Sequence, residues 1–250
     1  MKNNQQLPKN WILVRGLMRS QFHWKNFPEL LRKELQLNSV QTVELPGNGL
    51  LCAQETPTSI DAAIGKIRSQ ISVSGAKSFG LIGISLGGML ATRWAQIFPL
   101  EVSHLVLINS SSNISPFNQR LKPANYPGVV RHFLFRNPSA SEEFILQTTS
   151  NSERLWRPQL SENVEFLKAH PLSTLNFFRQ LKLTGQTDFS EVPKAAKLIL
   201  TSKADRLVSY KCSEKISQLW GCAIRHHETA GHDLPLDDGG WLAENIKDAF

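Results

Sequence analysis

The sequence predicts an α/β chain built on a mainly parallel, doubly wound sheet with a helical insertion near its middle. Three observations carry this. Short apolar runs alternate with helical patterns, the runs are nearly continuous rather than alternating, and about 80 residues in the second half break the rhythm. Strands buried on both faces read as continuous apolar runs, and strand–helix alternation implies right-handed crossovers.

The strand candidates are Trp11–Val14, Val40–Leu45, Phe79–Ile84, His104–Ile108, Lys197–Leu200 and Ala223–His227. Between them, 27–35 places Phe27, Leu30, Leu31 and Leu35 on one helical face. In 60–71, Ile60, Ala63, Ile64, Ile67 and Ile71 do the same. Further helices are predicted over 87–97, 213–220 and 241–250. Residues 111–189 hold no strand candidate, and their aromatic residues fall at helical spacing, as at Phe144 and Phe166. Such a stretch is too long for one crossover. It reads as a helical cap on a core of 1–110 and 190–250, above the carboxyl ends of the strands, where open α/β sheets bind ligands.

Composition narrows the function classes. The chain has 250 residues, 41% hydrophobic and 20% charged, which excludes a disordered protein. Its three cysteines, Cys52, Cys212 and Cys222, form no disulfide framework and suit a reducing compartment. No Cys/His cluster has zinc-ligand spacing, so no metal is expected. The first apolar run is four residues long, too short for a secretory signal or a membrane span. The expectation is a cytoplasmic protein. The net charge of +7 mixes bases with acids, which favours a solvated basic surface over nucleic-acid binding.

The strongest local signal is Gly83-Ile84-Ser85-Leu86-Gly87-Gly88, between a strand and a helix. G-x-S-x-G in that setting is a nucleophile elbow. The turn is tight, so its neighbours must be small, and it sets the serine hydroxyl at a helix N-terminus. A serine needs a base, and the base needs an acid to orient it. Asp205 lies on the loop leaving the Lys197–Leu200 strand. His232, in Thr229-Ala230-Gly231-His232-Asp233-Leu234-Pro235, follows the last strand. Of seven histidines only His232 has both the right order and the right loop; His23, His104, His132, His170, His226 and His227 do not. Pro235 reads as stiffening the loop exit. The backbone amides of Leu17 and Leu86 are the candidate oxyanion donors. Arg15 either braces the first loop or meets a substrate carboxylate or phosphate. Asn109, at the end of the fourth strand, is the other candidate substrate contact.

Together these residues resemble the α/β-hydrolase superfamily over nearly the whole chain. The compact layout is similar to small bacterial carboxylesterases, among them the pimeloyl-acyl-carrier-protein methyl ester esterases. The Gly-Ile-Ser-Leu-Gly-Gly elbow, Leu45-Pro46-Gly47-Asn48-Gly49, Asp205-Arg206-Leu207-Val208 and Ala230-Gly231-His232-Asp233 stand where such enzymes carry functional loops. One departure is Arg15-Gly16, where relatives commonly have His-Gly. The resemblance implies a cofactor-free serine esterase or thioesterase acting on a small acyl ester. An acyltransferase or lyase using the same triad, or a ligand receptor on the same scaffold, are the alternatives. It also raises an acidic acyl carrier protein as a partner for the cap, which carries a net charge of +3 over 111–189 and sets Arg154 beside Arg157 if that segment is helical.

Overall fold

A computed structural model describes residues 7–72, 78–128 and 137–250. His132, Arg131 and Arg136 lie outside the described residues, as does the polar start of the chain.

Six parallel strands form one sheet: β1 (Asn10–Val14), β2 (Ser39–Val43), β3 (Phe79–Ile84), β4 (Val102–Ile108), β5 (Ala196–Ser202) and β6 (Ala223–His227). Their spatial order is β2-β1-β3-β4-β5-β6. The chain therefore leaves β1 in one direction and returns past it to β3. Side chains alternate across a strand, so each strand feeds two cores. Ile12 and Val14 join α2 (Ile60–Arg68), α3 (Leu86–Ile97) and α7 (Tyr210–Trp220) on one face. Trp11 and Leu13 join α1 (Phe27–Glu34) and α8 (Leu234–Ala249) on the other.

The reading of strands buried on both faces holds at the centre of the sheet and fails at its rims. β3 is buried throughout, whereas β2 and β6 are mostly half-exposed. Each rim strand has one neighbour.

Several boundaries differ from expectation, three of them for a visible reason. β2 stops at Val43 rather than Leu45, and α2 stops at Arg68 rather than Ile71. The Gln70 side chain touches both ends, and in α2 it donates to the Lys66 carbonyl of the last turn at 3.2 Å. Gln70 accepts a hydrogen bond from the Glu44 amide at 2.9 Å and donates to the Glu44 carbonyl at 2.8 Å. It thereby takes the backbone groups that a longer strand would use. The last helix begins at Leu234, not Trp241. Pro235 lies in its first turn, where a missing N–H costs nothing, so it opens the helix rather than stiffening a loop. The helix is interrupted at Asp238, whose torsions are φ −156° and ψ 74°.

Between β4 and β5 the described residues carry helices and no strand. α4 (Pro138–Thr149) packs on α5 (Leu160–Ala169), and α6 (Thr174–Leu183) follows. Polar side chains tie these helices to the core. In α6, Gln180 accepts from the Met18 amide at 3.3 Å and donates to Asn48 at 2.7 Å. In α4, Glu142 is buried and accepts both oxygens' worth of contact from Arg19, at 2.8 and 2.9 Å. No helix among the described residues is long and apolar enough to cross a membrane.

Candidate active site

β3 ends at Ile84 and α3 starts at Leu86, leaving Ser85 alone on the turn. Its backbone sits at φ 57° and ψ −121°, a region that non-glycine residues rarely occupy. Such strain persists only where the surroundings over-determine it. Here the Ser85 amide donates to the Ile108 carbonyl at 3.0 Å. The Ser85 carbonyl accepts from the Gly88 amide at 2.9 Å and the Ser110 hydroxyl at 2.7 Å. Gly87 explains the small-residue rule directly: a Cβ there would stand 2.1 Å from the Val14 carbonyl oxygen.

Asp205 and His232 come together. His232 Nδ1 lies 2.7 Å from Asp205 Oδ2, and both residues are buried. Asp205 Oδ1 accepts the amides of Leu207 at 2.7 Å and Val208 at 2.9 Å. Those bonds hold the carboxylate plane and leave the second oxygen to orient the imidazole. No hydrogen bond joins Ser85 Oγ to His232 among the described residues. The end of β4 reaches both residues: Ser110 holds the Ser85 carbonyl, and Asn109 Nδ2 donates to the His232 carbonyl at 2.9 Å.

The first loop lies against the elbow. A Cβ built on Gly16, the residue before Leu17, would be 3.0 Å from Ser85 Cβ. Leu86 opens α3, where first-turn amides have no partner inside the helix.

The two candidate substrate contacts are both engaged elsewhere. The Arg15 guanidinium forks onto Asp233, with Nη1–Oδ1 at 3.0 Å and Nη2–Oδ2 at 2.6 Å, and Trp24 covers it at 4.8 Å. The brace it provides runs to a carboxylate rather than to backbone carbonyls. Burial pushes the Asp233 carboxyl up, but the charge and hydrogen bonds of Arg15, together with further nearby charge including that of Arg19, hold the group below the usual carboxylate range. Asn109 is buried at a positive φ of 43°. Its amide donates to the Gly231 and His232 carbonyls at 3.2 and 2.9 Å, and its oxygen accepts the Ser202 amide at 2.8 Å. It stitches the β4, acid and base loops together and has no group left for a substrate.

The rival histidines are elsewhere. His104 is buried against Trp11 and Phe250, and burial pushes it down to about 4. His23 pairs with Ser20, and burial followed by the charges of Arg19 and Arg15 keeps it well below its ordinary value. His227 caps the Ala230 amide at 2.9 Å, and His170 lies tilted against Phe166 with ring centroids 4.6 Å apart.

Sequence reasoning missed how the cap enters the site. Residues 149–151, leaving α4, run between the acid and base loops. The Thr149 carbonyl accepts the Asp233 amide at 2.7 Å. Asn151 donates to the Ala204 carbonyl at 3.0 Å and to the Thr229 carbonyl at 2.9 Å. Asp237 binds the Gly231 amide at 2.6 Å and the Asn151 amide at 2.9 Å. The available signal was the pair Asp233 and Asp237 directly after the histidine, one helical turn apart. The basic cap residues are partly neutralised at home. Arg157 pairs with Glu153 and Glu143, Lys168 with Glu165, and Arg179 with Glu55.

A strained serine after β3 and a buried Asp–His pair on the loops after β5 and β6 stand at the same, carboxyl end of the parallel sheet, an arrangement of the kind hydrolases use. Residues 60–239 match the alpha/beta hydrolase fold family, and the chain belongs to that family. Over 190 residues it is 25% identical to RutD of Cronobacter sakazakii, a candidate carbamate hydrolase, covering 72% of this chain and 65% of that protein. The chain thus spans just under two thirds of that relative. It is 24% identical over 255 residues to the human monoacylglycerol lipase ABHD6, covering 95% of this chain and 74% of the lipase. The solved 2-hydroxy-6-oxo-6-phenylhexa-2,4-dienoate hydrolase of Rhodococcus sp. strain RHA1 superposes with a TM-score of 0.75 at 15% identity, over 98% of this chain and 91% of that one. That likeness is one of fold.

Proposed function

We propose that the chain is a serine hydrolase that cleaves a carboxylic ester or thioester through an acyl-enzyme. The observation that carries this reading is the buried His232 Nδ1–Asp205 Oδ2 contact of 2.7 Å, at the end of the sheet that also carries a serine in a strained elbow. Asp205 fixes the imidazole so that Nε2 is the free, basic nitrogen, and it stabilises the imidazolium that forms. His232 takes the Ser85 proton as the hydroxyl attacks the acyl carbon. The amides of Leu17 and Leu86 receive the charge that develops on the acyl oxygen. His232 then protonates the leaving alcohol or thiol. Water, activated by the same imidazole, releases the acid and restores Ser85.

The relatives' names, a lipase of monoacylglycerols and a candidate carbamate hydrolase, support acyl transfer to water and place esters and carbamates in the first substrate panel. The test is labelling with a fluorophosphonate probe, followed by hydrolysis of p-nitrophenyl esters of graded chain length and of a matching carbamate. Ser85 is the expected labelled residue. Ser85→Ala and His232→Ala should each abolish nearly all turnover, because the triad acts as a unit. Full activity in Ser85→Ala refutes the reading.

A further inference from the structure

We infer that the buried Arg15–Asp233 ion pair is a positioning element, which fixes the loop bearing His232 against the loop bearing the Leu17 amide. The inference rests on the hydrolase reading above. Arg15 directly follows β1 and stands two residues before Leu17. Asp233 directly follows His232. Among the described residues, their two hydrogen bonds are the only ones that join these loops.

The chemistry of the pair points to direction rather than to cohesion. Both residues are about 5% exposed, so two full charges are held out of water. That desolvation is costly, and an apolar pair of similar volume commonly fills such a space with equal or greater stability. A guanidinium–carboxylate fork offers what an apolar pair lacks: two parallel bonds that set both distance and angle. Trp24 lies against the guanidinium and limits its tilt.

The other clamps on the base loop run elsewhere. Asn109 ties it to β4, and Thr149 ties it to the cap. Among the described residues, the Arg15 fork alone hydrogen-bonds the loop of the proton acceptor directly to the loop of the Leu17 amide. Attack on an acyl carbon needs both at once, because the same carbon sits between the nucleophile, the base and the amide that receives its oxygen. A displacement of about 1 Å between such groups costs on the order of 10²-fold in rate. Arg19 and Glu142 form a second buried pair nearby, and Arg19 lines a cavity with Asp233, His23 and Asn163. Its charge helps keep Asp233 ionised, while its bonds go to the cap rather than to the base loop.

The experiment uses the full chain, a p-nitrophenyl ester and three variants: Arg15→Met, Asp233→Asn, and Arg15→Met combined with Asp233→Leu. Ser85→Ala is run first, because full activity there refutes the hydrolase reading by itself. Given a dead Ser85→Ala, each single variant should lower kcat by about 10- to 100-fold with KM changed less than about 3-fold. The apolar double variant guards against simple unfolding. It should regain the wild-type melting temperature and still show the reduced kcat. Wild-type kcat in the folded double variant overturns the inference, because the pair would then only fill space. A raised KM with unchanged kcat in Arg15→Met also overturns it, because Arg15 would then act on substrate binding.

Discussion

Gly231 and Thr149 meet so closely that a methyl group on Gly231 would stand 2.5 Å from the Thr149 carbonyl oxygen. The glycine precedes His232, and the threonine ends α4 of the cap. The base loop is therefore shaped by a backbone that arrives from the insertion. Gly231→Ala forces the two apart, and overpacking of this kind costs about 1–3 kcal/mol. Catalysis should suffer more than stability, because the shift falls on the residue beside the base. Thermal melting and kcat on one ester check this. A variant with lowered melting temperature and wild-type kcat would show that the cap contact does not shape the base.

Asp205→Asn should preserve the loop and remove the chemistry. The amide oxygen can still accept the Leu207 and Val208 amides, so the fold is kept. Its NH₂ would then face Nδ1, favouring the wrong imidazole tautomer. In the Ser-His-Asp template the corresponding exchange lowers kcat on the order of 10⁴-fold. Loss of that size without loss of melting temperature is expected. A fully active variant would move the acid to another carboxylate.

Glu44 makes stability depend on pH. It is buried, with Oε1 lacking a hydrogen-bond partner among the described residues, and burial pushes its carboxyl up from 4.5 to about 8. Between those values the folded chain keeps a proton that the unfolded chain has released. Its contribution to stability is thus complete at low pH and is lost as pH rises toward about 8. Glu44→Gln removes the titration. Its melting temperature should exceed that of the wild type at alkaline pH and converge with it near pH 5, roughly the ordinary carboxylate range. Parallel melting curves across the window would contradict this.

Gly65 offers a stabilising change. It lies inside α2, and a Cβ there would meet nothing within 4 Å. Glycine in a helix interior costs roughly 0.5–1 kcal/mol relative to alanine. Gly65→Ala should raise Tm by about 1–4 °C for a chain of this size. An unchanged or lower Tm would mean that the variant meets a contact absent from this conformation.

The sequence alone determined what rests on local chemistry. The central strands were legible because burial on both faces leaves continuous apolar runs. The elbow was legible because only small residues fit a turn pressed against β1. Asp205 and His232 followed from chain order and from the loops that hold them, and the structure joins them at 2.7 Å. What the sequence left open depends on approach across long separations. Arg15 finds Asp233 218 residues away. Asn109 spends its amide on the loop of His232, residues 149–151 pass between the loops of Asp205 and His232, and Gln70 takes the Glu44 backbone groups after β2. Periodicity and turn preference act over a few residues, so they mark elements and their order. Which buried charge meets which partner is decided only when those elements pack, because a hydrogen bond requires a separation near 3 Å that no local pattern encodes.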